Sequence, residues 1–493
     1  MKTITEESLD FKTFERNLFK IMCQIACGLI REYLLIRDNV ICTLRDKQRY
    51  RYIDKNREST IKSLFGEIRF KRRYYYDKEL NKYVFLLDET LGIDSGYGLV
   101  SENLAEQMVN EATDKSFRKA AGTINNFTGQ HISAQGLWNV VQKFAEQIKQ
   151  QESRLSELYD CGITGQLGNV STPVLFVEHD EIWISRQREQ RRAPGTVVKG
   201  AKMIGKKVGK KPICAGTAYI GWSEPKGGRH KVESKLTYAS FEKSSAFLEK
   251  FEMLLNHCFD MDGVQQRITN GDGEGWIRTA AENNDSILQL NPFHRSKSIV
   301  KAVGDKEDRS ILFEAIKEKD VDKTLETICN LILKAPDEKS QKKLVELYNY
   351  FYNNMDSFLT WQERDIKLPT PPKGITYREM GVQESNNSLY AQRMKHRKGS
   401  WSDNGGDNMA RILSYRNSIG FDTILGTLPE PEPIVDICAD PLSATQSPKH
   451  DGKGYGANWL YAPMPFENTF KTNGRKAIRG MLRQHPLSLR TSV

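Results

Sequence analysis

The first part of the chain shows two different patterns of apolar and polar residues. Between residues 10 and 45, apolar side chains recur at steps of three and four, at Phe14, Leu18, Ile21, Met22, Ile25 and Leu29. This spacing places them on one face of an α-helix. Residues 59 to 77, STIKSLFGEIRFKRRYYYD, instead alternate between apolar and polar side chains on both sides of a turn near Gly66. The alternation predicts a short sheet with a basic, aromatic surface suited to phosphates and bases, or else a plain β-meander whose cations extend into solvent.

Two helical runs joined by a short turn follow in SFRKAAGTINNFTGQHISAQGLWNVVQKFAEQI. The first is predicted to run from about Ser116 to Ile124, and the second to begin near Ser133, whose hydroxyl can cap the helix. This is the layout of a helix-turn-helix, in which Arg118 and Lys119 would contact DNA. The alternative is an αα-hairpin that binds no nucleic acid.

Strand patterns follow a Gly-rich linker and extend to about residue 300. In VLFVEHDEIWIS, residues 174 to 185, the alternation places Glu178 and Asp180 on the same side of an apolar strand. Buried acids are rare unless they are paired or bound to a metal, so we expect both at a sheet edge or in a cleft. A later strand ends at Gly271, Asp272 and Gly273, where a ligand can approach the backbone closely. The alternatives are solvated acids and an ordinary Asp-Gly turn.

Residues 300 to about 365 are predicted to be helical throughout, a Pro-rich segment, LPTPPKG, closes this block, and a further helix begins near Glu384. That helix carries Arg393, Lys395, Arg397 and Lys398. The predicted fold class is a multidomain protein of α+β and α/β type. Its predicted regions are an N-terminal helix with a small β-sheet at 1–95, a helix-turn-helix at 96–160, the first part of a mixed-sheet core at 165–300, an α-helical insertion at 301–372, the last core helices at 373–420, and a basic tail rich in Pro and Gly at 421–493.

Composition describes a globular protein. The 493 residues are 38% hydrophobic, which predicts two to four domains with ample core. No apolar run reaches the roughly 18 residues needed to cross a bilayer, and the N-terminal residues MKTITEESLDFK lack the apolar segment of a signal peptide. Of eight cysteines, only Cys23 and Cys27 are close, and no second pair completes a zinc site. Core packing of this pair, reduced thiols and a cytoplasmic location are therefore expected, with no membrane partner.

Positive charge is concentrated in one segment. The net charge is +10, and residues 186 to 211 contain ten Lys or Arg against one Glu. Because this segment directly follows the strand with Asp180, it would hold a polyanion beside that acid. The residues that we expect to contact phosphates here are Arg186, Arg188, Arg191, Arg192 and Lys199. A solvated surface loop is the alternative interpretation.

Asp180, Asp272 and Glu384 lie on three separate predicted elements. If these carboxylates converge, their mutual repulsion requires bound cations. Mg²⁺ or Mn²⁺ accepts oxygen ligands and keeps positions open for phosphate and water. Two such ions about 4 Å apart can support an in-line phosphoryl displacement. A glycoside hydrolase also uses two acids, but it leaves the basic segment without a purpose.

Five segments carry a resemblance to a known family: TIKSLFGEIRFKRRYYYD, VEHDEIWIS, ITNGDGEGWI, LNPFHRSK and ESNNSLYAQRMKHRKGSWS. They resemble the DDE transposases of bacterial ISLre-type insertion sequences, formerly described as an uncharacterised protein family. The resemblance covers about residues 10 to 420. It implies a helical and small-β DNA-binding region, followed by an RNase H-like core that an all-α insertion interrupts.

The resemblance also implies roles for particular residues. Asp180 on the first core strand, Asp272 after the fourth and Glu384 on a late helix would hold two Mg²⁺ or Mn²⁺ ions. His294 would support the active site, although Asn291 stands where relatives carry the Cys or Asp partner of that histidine. The alternative is an ordinary core histidine. Glu178 would be either an acid outside the metal site or a competing ligand.

The activity implied is cleavage at the ends of an insertion sequence and attack of the freed 3′-hydroxyl on target DNA. The helix-turn-helix would read the terminal repeats, while the basic segment and Arg393, Lys395, Arg397 and Lys398 would contact phosphates. A homo-oligomer on double-stranded DNA, associated with the bacterial nucleoid, is expected. The alternatives are a metal-dependent nuclease without strand transfer and a transposase-derived DNA-binding protein without catalysis. The presence of all three acids argues against the second of these.

Overall fold

A long N-terminal helix packs on a small antiparallel sheet. The computed structural model describes residues 10–93, 99–161, 170–187, 209–223, 225, 227–397 and 399–419. The first elements are the helices α1, Phe11–Leu44, and α2, Leu86–Leu91, and the strands β1, Tyr50–Ser63, β2, Gly66–Asp77, and β3, Lys82–Val84. The predicted helix and the turn at Gly66 are confirmed. Gly66 has φ +146°, a conformation that side-chain-bearing residues rarely adopt.

The core of this region involves the second half of α1. Leu34 of the helix packs against Ile68 and Phe70 of β2 and Leu87 of α2. The apolar face predicted from the first half is largely exposed instead, for example at Phe14, which is 49% exposed. The small sheet reaches only the second half of α1, so periodicity identified the helix but not its buried face.

The basic residues of β2 do not form one continuous surface. Arg72 pairs with Asp88 of α2, and Arg73 pairs with Asp38 of α1. These ion pairs join the sheet to its helices. Tyr74 and the exposed Tyr83 stack with ring centroids 5.2 Å apart, as cross-strand aromatic pairs do.

Three helices follow, α3, Glu102–Asp114, α4, Phe117–Thr128, and α5, Ala134–Asp160. The Ser116 hydroxyl caps α4 by accepting a hydrogen bond from the Lys119 N–H, and the Ser133 hydroxyl caps α5 by accepting from the Gly136 N–H. Both predicted helices and the predicted Ser133 cap are therefore confirmed.

A five-stranded mixed sheet forms the centre of the fold. The chain first passes through β4, Val174–Ser185, β5, Lys210–Tyr219, β6, Gly221–Ser223, β7, Val232–Glu233, β8, Leu236–Ser240, α6, Ser244–Cys258, β9, Gln266–Gly271, α7, Gly275–Asn283, and β10, Ile287–Leu290. The strand order in the sheet is β10-β9-β4-β5-β8. Strand β4 is antiparallel to β5 and parallel to β9, and β9 is parallel to β10. The carboxyl ends of β4, β9 and β10 therefore point the same way.

A helical segment follows β10, as predicted, but its last α-helix ends at Asn353, and residues 358–365 form bends and turns where helix was predicted. Its helices are α8, Pro292–Ala302, α9, Lys306–Lys317, α10, Val321–Leu333, and α11, Glu338–Asn353. They share a core that includes Leu312, Ile328 and Phe351, and Leu290 of β10 belongs to the same cluster. The segment is thus packed onto the end of the central sheet.

The chain then returns to the sheet. A short strand β11, Ile375–Thr376, pairs with β6, and the helices α12, Val382–Met394, and α13, Asp403–Arg416, follow. Helix α13 is almost completely buried, and it packs against β8 and α5. Within the described ranges, no helix is both long and apolar enough to cross a membrane.

Candidate metal centre

Three side chains from different elements converge beside the carboxyl ends of the parallel strands β9 and β10. Asp180 of β4, His294 of α8 and Glu384 of α12 each offer one potential ligand atom, and these atoms all lie within 4.8 Å of one another. The His294 Nε2 atom is 2.7 Å from Glu384 Oε1 and 3.7 Å from Asp180 Oδ2. In the part of the chain that the structure describes, this is the one such group of His, Cys, Asp or Glu found.

The sheet topology explains why these residues meet. Parallel strands end at the same edge, and ligands bind beyond the carboxyl ends of such strands. Helix α8 starts directly after β10, where the Asn291 side chain accepts from the Phe293 N–H and the Asn291 N–H donates to Gly271 O. His294 therefore lies in the first turn of a helix held against the end of β9. Asn291 acts here as a helix cap.

Asp180 is held in place by its neighbours. It is 7% exposed, its Oδ1 atom accepts a 2.7 Å hydrogen bond from the Glu181 N–H, and its Oδ2 atom accepts one from Asn387 Nδ2. Sequence reasoning missed Asn387. Asn387 lies three residues after Glu384, so both side chains share a face of α12, and this spacing was the available signal.

Asp272 lies beside the cluster. The pairing of β4 with β9 ends at Glu178 and Asn270, and the same register continued by two residues brings Asp272 opposite Asp180. Burial raises the pKa of Asp272, and the charge of Asp180 raises it further, whereas the Glu274 N–H and His294 lower it. Asp272 is not one of the three residues whose atoms lie within 4.8 Å. The structure thus brings together two of the three predicted metal ligands, with His294 between them.

The residue that follows Asp272 must be a glycine. Gly273 has φ +91°, and a Cβ atom there would lie 2.6 Å from Asn354 Oδ1. The Tyr350 hydroxyl of α11 donates a 2.7 Å hydrogen bond to the Asp272 carbonyl. The helical segment therefore fixes the loop that carries Asp272.

Negative charge accumulates around the cluster. Burial raises the pKa of Glu181, and the neighbouring carboxylates Glu274, Asp272 and Asp180 raise it further. Such convergence of acids at a partly buried edge stabilises a bound cation.

His294 supplies positive charge to this site. Burial alone would lower the pKa of His294, but its interactions with Asp180 and Glu384 outweigh burial and raise it to about 9. The imidazole is therefore protonated at neutral pH and links the two carboxylates.

Stability measured over pH tests this protonated state. The pKa of an unfolded histidine is about 6.5. Because the folded pKa of His294 is higher, protonation stabilises the fold fully below the unfolded pKa, and this stabilisation is lost as the pH rises through about 9. We expect metal-free wild type to exceed His294→Gln in thermal midpoint near pH 6, and the difference to shrink towards about pH 10. A difference that does not vary with pH would contradict the assignment.

Glu178 lies behind the cluster. Its carboxylate is completely buried and accepts hydrogen bonds from Tyr219 Oη at 2.6 Å and from Asn270 Nδ2 at 3.1 Å. It also accepts from main-chain N–H groups at the start of α12. Of the two alternatives for this residue, the contacts favour an acid outside the metal site.

The predicted DNA contacts have different surroundings. Arg118 and Lys119 are exposed on α4, and Lys395 and Arg397 are exposed at the end of α12. Arg186 forms a two-pronged ion pair with Asp403, at 2.7 and 2.9 Å. The remaining predicted contacts lie outside the described residues: Arg188, Arg191, Arg192, Lys199 and Lys398.

The prediction that Arg393 contacts phosphates does not agree with its burial. The side chain is 6% exposed, and its Nε atom donates a 2.6 Å hydrogen bond to Ala112 O. The guanidinium lies 4.9 Å from the ring centroids of both Phe117 and Trp401. Burial lowers the pKa of Arg393 to about 10. Arg393 therefore joins α12 to α3 and α4.

Solved structures share little with this chain. A "Mos1 Strand Transfer Complex" structure aligns over 53% of this chain and 79% of its own, with 11% identity and a TM-score of 0.13. A "pre-cleavage Mos1 transpososome" aligns over 52% and 78%, with 10% identity and a TM-score of 0.12. Scores this low do not define a common fold.

Sequence relatives cover much more of the chain. A "UPF0236 protein in vanSb 3′region" from Streptococcus gallolyticus is 26% identical over 402 residues, which are 75% of this chain and 77% of the relative. A UPF0236 protein from Caldanaerobacter subterraneus is 21% identical over 401 residues, 80% of this chain and 75% of the relative. The model of the uncharacterised protein family UPF0236 matches residues 4–423. The chain therefore belongs to the UPF0236 family.

Proposed function

We propose that this protein is a DDE transposase, which binds the ends of its insertion sequence, cleaves DNA there and joins the freed 3′-hydroxyl to target DNA. The observation that carries the proposal is the convergence of Asp180, His294 and Glu384, with Asp272 at the adjoining strand end. Carboxylates brought together at the carboxyl edge of a mixed sheet suit metal-dependent phosphoryl transfer.

The topology supports an RNase H-like core for this enzyme. Asp180 lies on the first strand of the five-stranded sheet, Asp272 follows the fourth, and Glu384 lies on a helix after the helical segment. These are the positions that the family resemblance implies. The helical segment would be the all-α insertion.

The side chains present fit a divalent cation. Two carboxylates offer ligand oxygens at this site, and Mn²⁺ or Mg²⁺ accepts carboxylate oxygen readily. The His294 imidazole lies within 4.8 Å of them and would become a ligand only on losing its proton, because an imidazolium has no free lone pair. Burial raises the pKa of Glu181 and Asp272, and neighbouring carboxylates raise both further, so a bound cation would neutralise local negative charge. When bound, one or two such ions supply activation of the attacking oxygen and stabilisation of the leaving oxygen.

The chain's own residues orient the substrate and the metal site. Asp180 and Glu384 hold ligand oxygens at fixed positions, and before a cation binds, protonated His294 balances their charge. Exposed Arg118 and Lys119 on α4, together with the basic segment, would bind DNA phosphates. The reaction needs no protein nucleophile, because positioning and charge neutralisation lower its barrier. Two DNA ends would meet in a homo-oligomer in the bacterial cytoplasm.

A DNA joining assay tests the proposal. A labelled duplex that carries the terminal repeat of the element is incubated with a target plasmid in Mn²⁺, in Mg²⁺ or in EDTA. We expect the wild type to nick the duplex and join it to the plasmid only with metal. Asp272→Ala should bind the duplex as tightly but cut it at least about 100-fold more slowly, because the variant loses a carboxylate beside the metal ligands.

Each alternative has its own outcome in this assay. A metal-dependent nuclease would cut the duplex without forming the joined product. A DNA-binding protein without catalysis would bind in both forms and cut in neither. Either result would reject strand transfer as the function of this chain.

A further inference from the structure

We propose that Glu178 is a positioning residue that fixes the start of α12 to the central sheet and so sets the distance between Asp180 and Glu384. This inference rests on the proposed function for its catalytic consequence. Its structural part stands on the contacts of one buried carboxylate.

Helix α12 lacks a cap of its own. Its N-cap residue is Gly381, which has no side chain to accept hydrogen bonds. The N–H groups of Gly381 and Val382 donate to Glu178 Oε1, each at 2.9 Å, and that of Gln383 donates to Oε2 at 3.3 Å. A carboxylate 203 residues earlier in the chain therefore caps this helix. A negative charge at this end also interacts favourably with the helix dipole.

The same carboxylate is held by the sheet. Glu178 lies on β4, between the neighbouring strands β5 and β9. Tyr219 of β5 and Asn270 of β9 both donate hydrogen bonds to its carboxylate. With the three main-chain groups, five donors surround a side chain that is 0% exposed. A carboxylate offers about four lone pairs, so Glu178 has no capacity left for a metal ion.

The two elements joined by Glu178 carry the metal-site residues next to it. Asp180 follows Glu178 by two residues on β4, and Glu384 follows the bonded Gln383 directly on α12. Asn387, which donates to Asp180, lies one turn further along the same helix. A shift of the first turn of α12 therefore moves Glu384 and Asn387 away from Asp180 together.

The experiment uses the full chain and follows Mn²⁺ itself. Glu178→Gln keeps the size of the side chain but replaces one acceptor oxygen with an NH₂ group and removes the charge. We expect the Mn²⁺ dissociation constant, and the Mn²⁺ concentration that half-activates cleavage, to rise about 10- to 100-fold. Hydrogen exchange at the amides of residues 381–385 should accelerate about tenfold or more, while DNA affinity stays unchanged.

Glu152→Gln is the matched control. Glu152 is also a buried carboxylate, 1% exposed, and it accepts a 2.8 Å hydrogen bond from Tyr415 Oη, away from the metal site. This variant should lose stability while Mn²⁺ affinity and amide exchange at residues 381–385 stay as in wild type. Gly381→Ala is the second test variant. Gly381 has φ +150° with no atom within 4 Å of its added Cβ, so the change strains only the backbone of the first turn.

The outcomes separate this inference from the proposed function. Wild-type Mn²⁺ affinity and amide exchange in Glu178→Gln would overturn the positioning role. If Glu178→Gln does not fold, Gly381→Ala decides, and wild-type behaviour in that variant overturns the role as well. If the wild type cuts no DNA, the proposed function fails, yet Mn²⁺ binding and amide exchange still decide whether Glu178 positions α12.

Discussion

Asp180→Asn is expected to abolish DNA cleavage while leaving the protein folded and bound to DNA. The substitution keeps the shape of the side chain and removes its charge. Asp180 lies on β4, the central strand of the sheet, and belongs to the metal cluster. Metal coordination contributes several kcal/mol of transition-state stabilisation, and each 1.36 kcal/mol corresponds to a factor of ten in rate. A loss of about 1000-fold or more in the single-turnover cleavage rate with Mn²⁺ follows. The rate is measured on a labelled duplex that carries the element's end.

The control for this prediction is Glu282→Gln. Glu282 is an exposed acid on α7, outside the metal cluster. The Glu282→Gln variant loses the same charge as Asp180→Asn and should cut DNA at the wild-type rate. Retention of cleavage by Asp180→Asn within about tenfold of wild type would reject Asp180 as a metal ligand.

Local patterns predicted much of the fold. The apolar spacing of α1, the hydroxyl cap at Ser133 and the helical segment after β10 all depend on interactions between residues close in sequence. Such signals are visible without knowledge of tertiary contacts. The acidic strand was predicted as well, since its alternation is local.

Residues whose role depends on distant partners were harder to assign. Alternation placed Glu178 and Asp180 on one face of β4, but the first turn of α12 then occupies Glu178. Counting charges likewise grouped Arg393 with its exposed neighbours, although the rings of Phe117 and Trp401 enclose it. No local pattern reports which side chain a distant helix will cover.

His294 illustrates an intermediate case. The family resemblance suggested a supporting residue, and sequence spacing supplied no partner for it. The cap at Asn291 and the parallel strands β9 and β10 bring His294 to the carboxyl edge where Asp180 lies. Topology thus converts a lone histidine into part of a candidate metal centre.

Helix α13 carries the buried charges on which the largest expected loss of stability depends. Arg411 is fully buried and forms ion pairs with Glu152 of α5, with Asp407 on its own helix, and with Glu242 at 3.1 Å. Its guanidinium also contacts the Tyr238 hydroxyl of β8. This network joins the predicted helix-turn-helix region to the central sheet through one side chain.

Arg411→Met should therefore destabilise the fold by about 3 to 5 kcal/mol, because it removes the closest cation of the buried Glu152 carboxylate, which is left with Lys250 at 4.0 Å, whereas Asp407 keeps Lys149 at 2.8 Å. The loss is measured as a lower midpoint of urea unfolding followed by circular dichroism. Arg416→Met on the same helix is the matched control, since Arg416 pairs with Asp114, whose side chain is 64% exposed. An exposed pair contributes about 1 kcal/mol or less, so this variant should unfold near the wild-type midpoint. Equal effects of the two substitutions would show that burial of the Arg411 network does not control the stability of the fold.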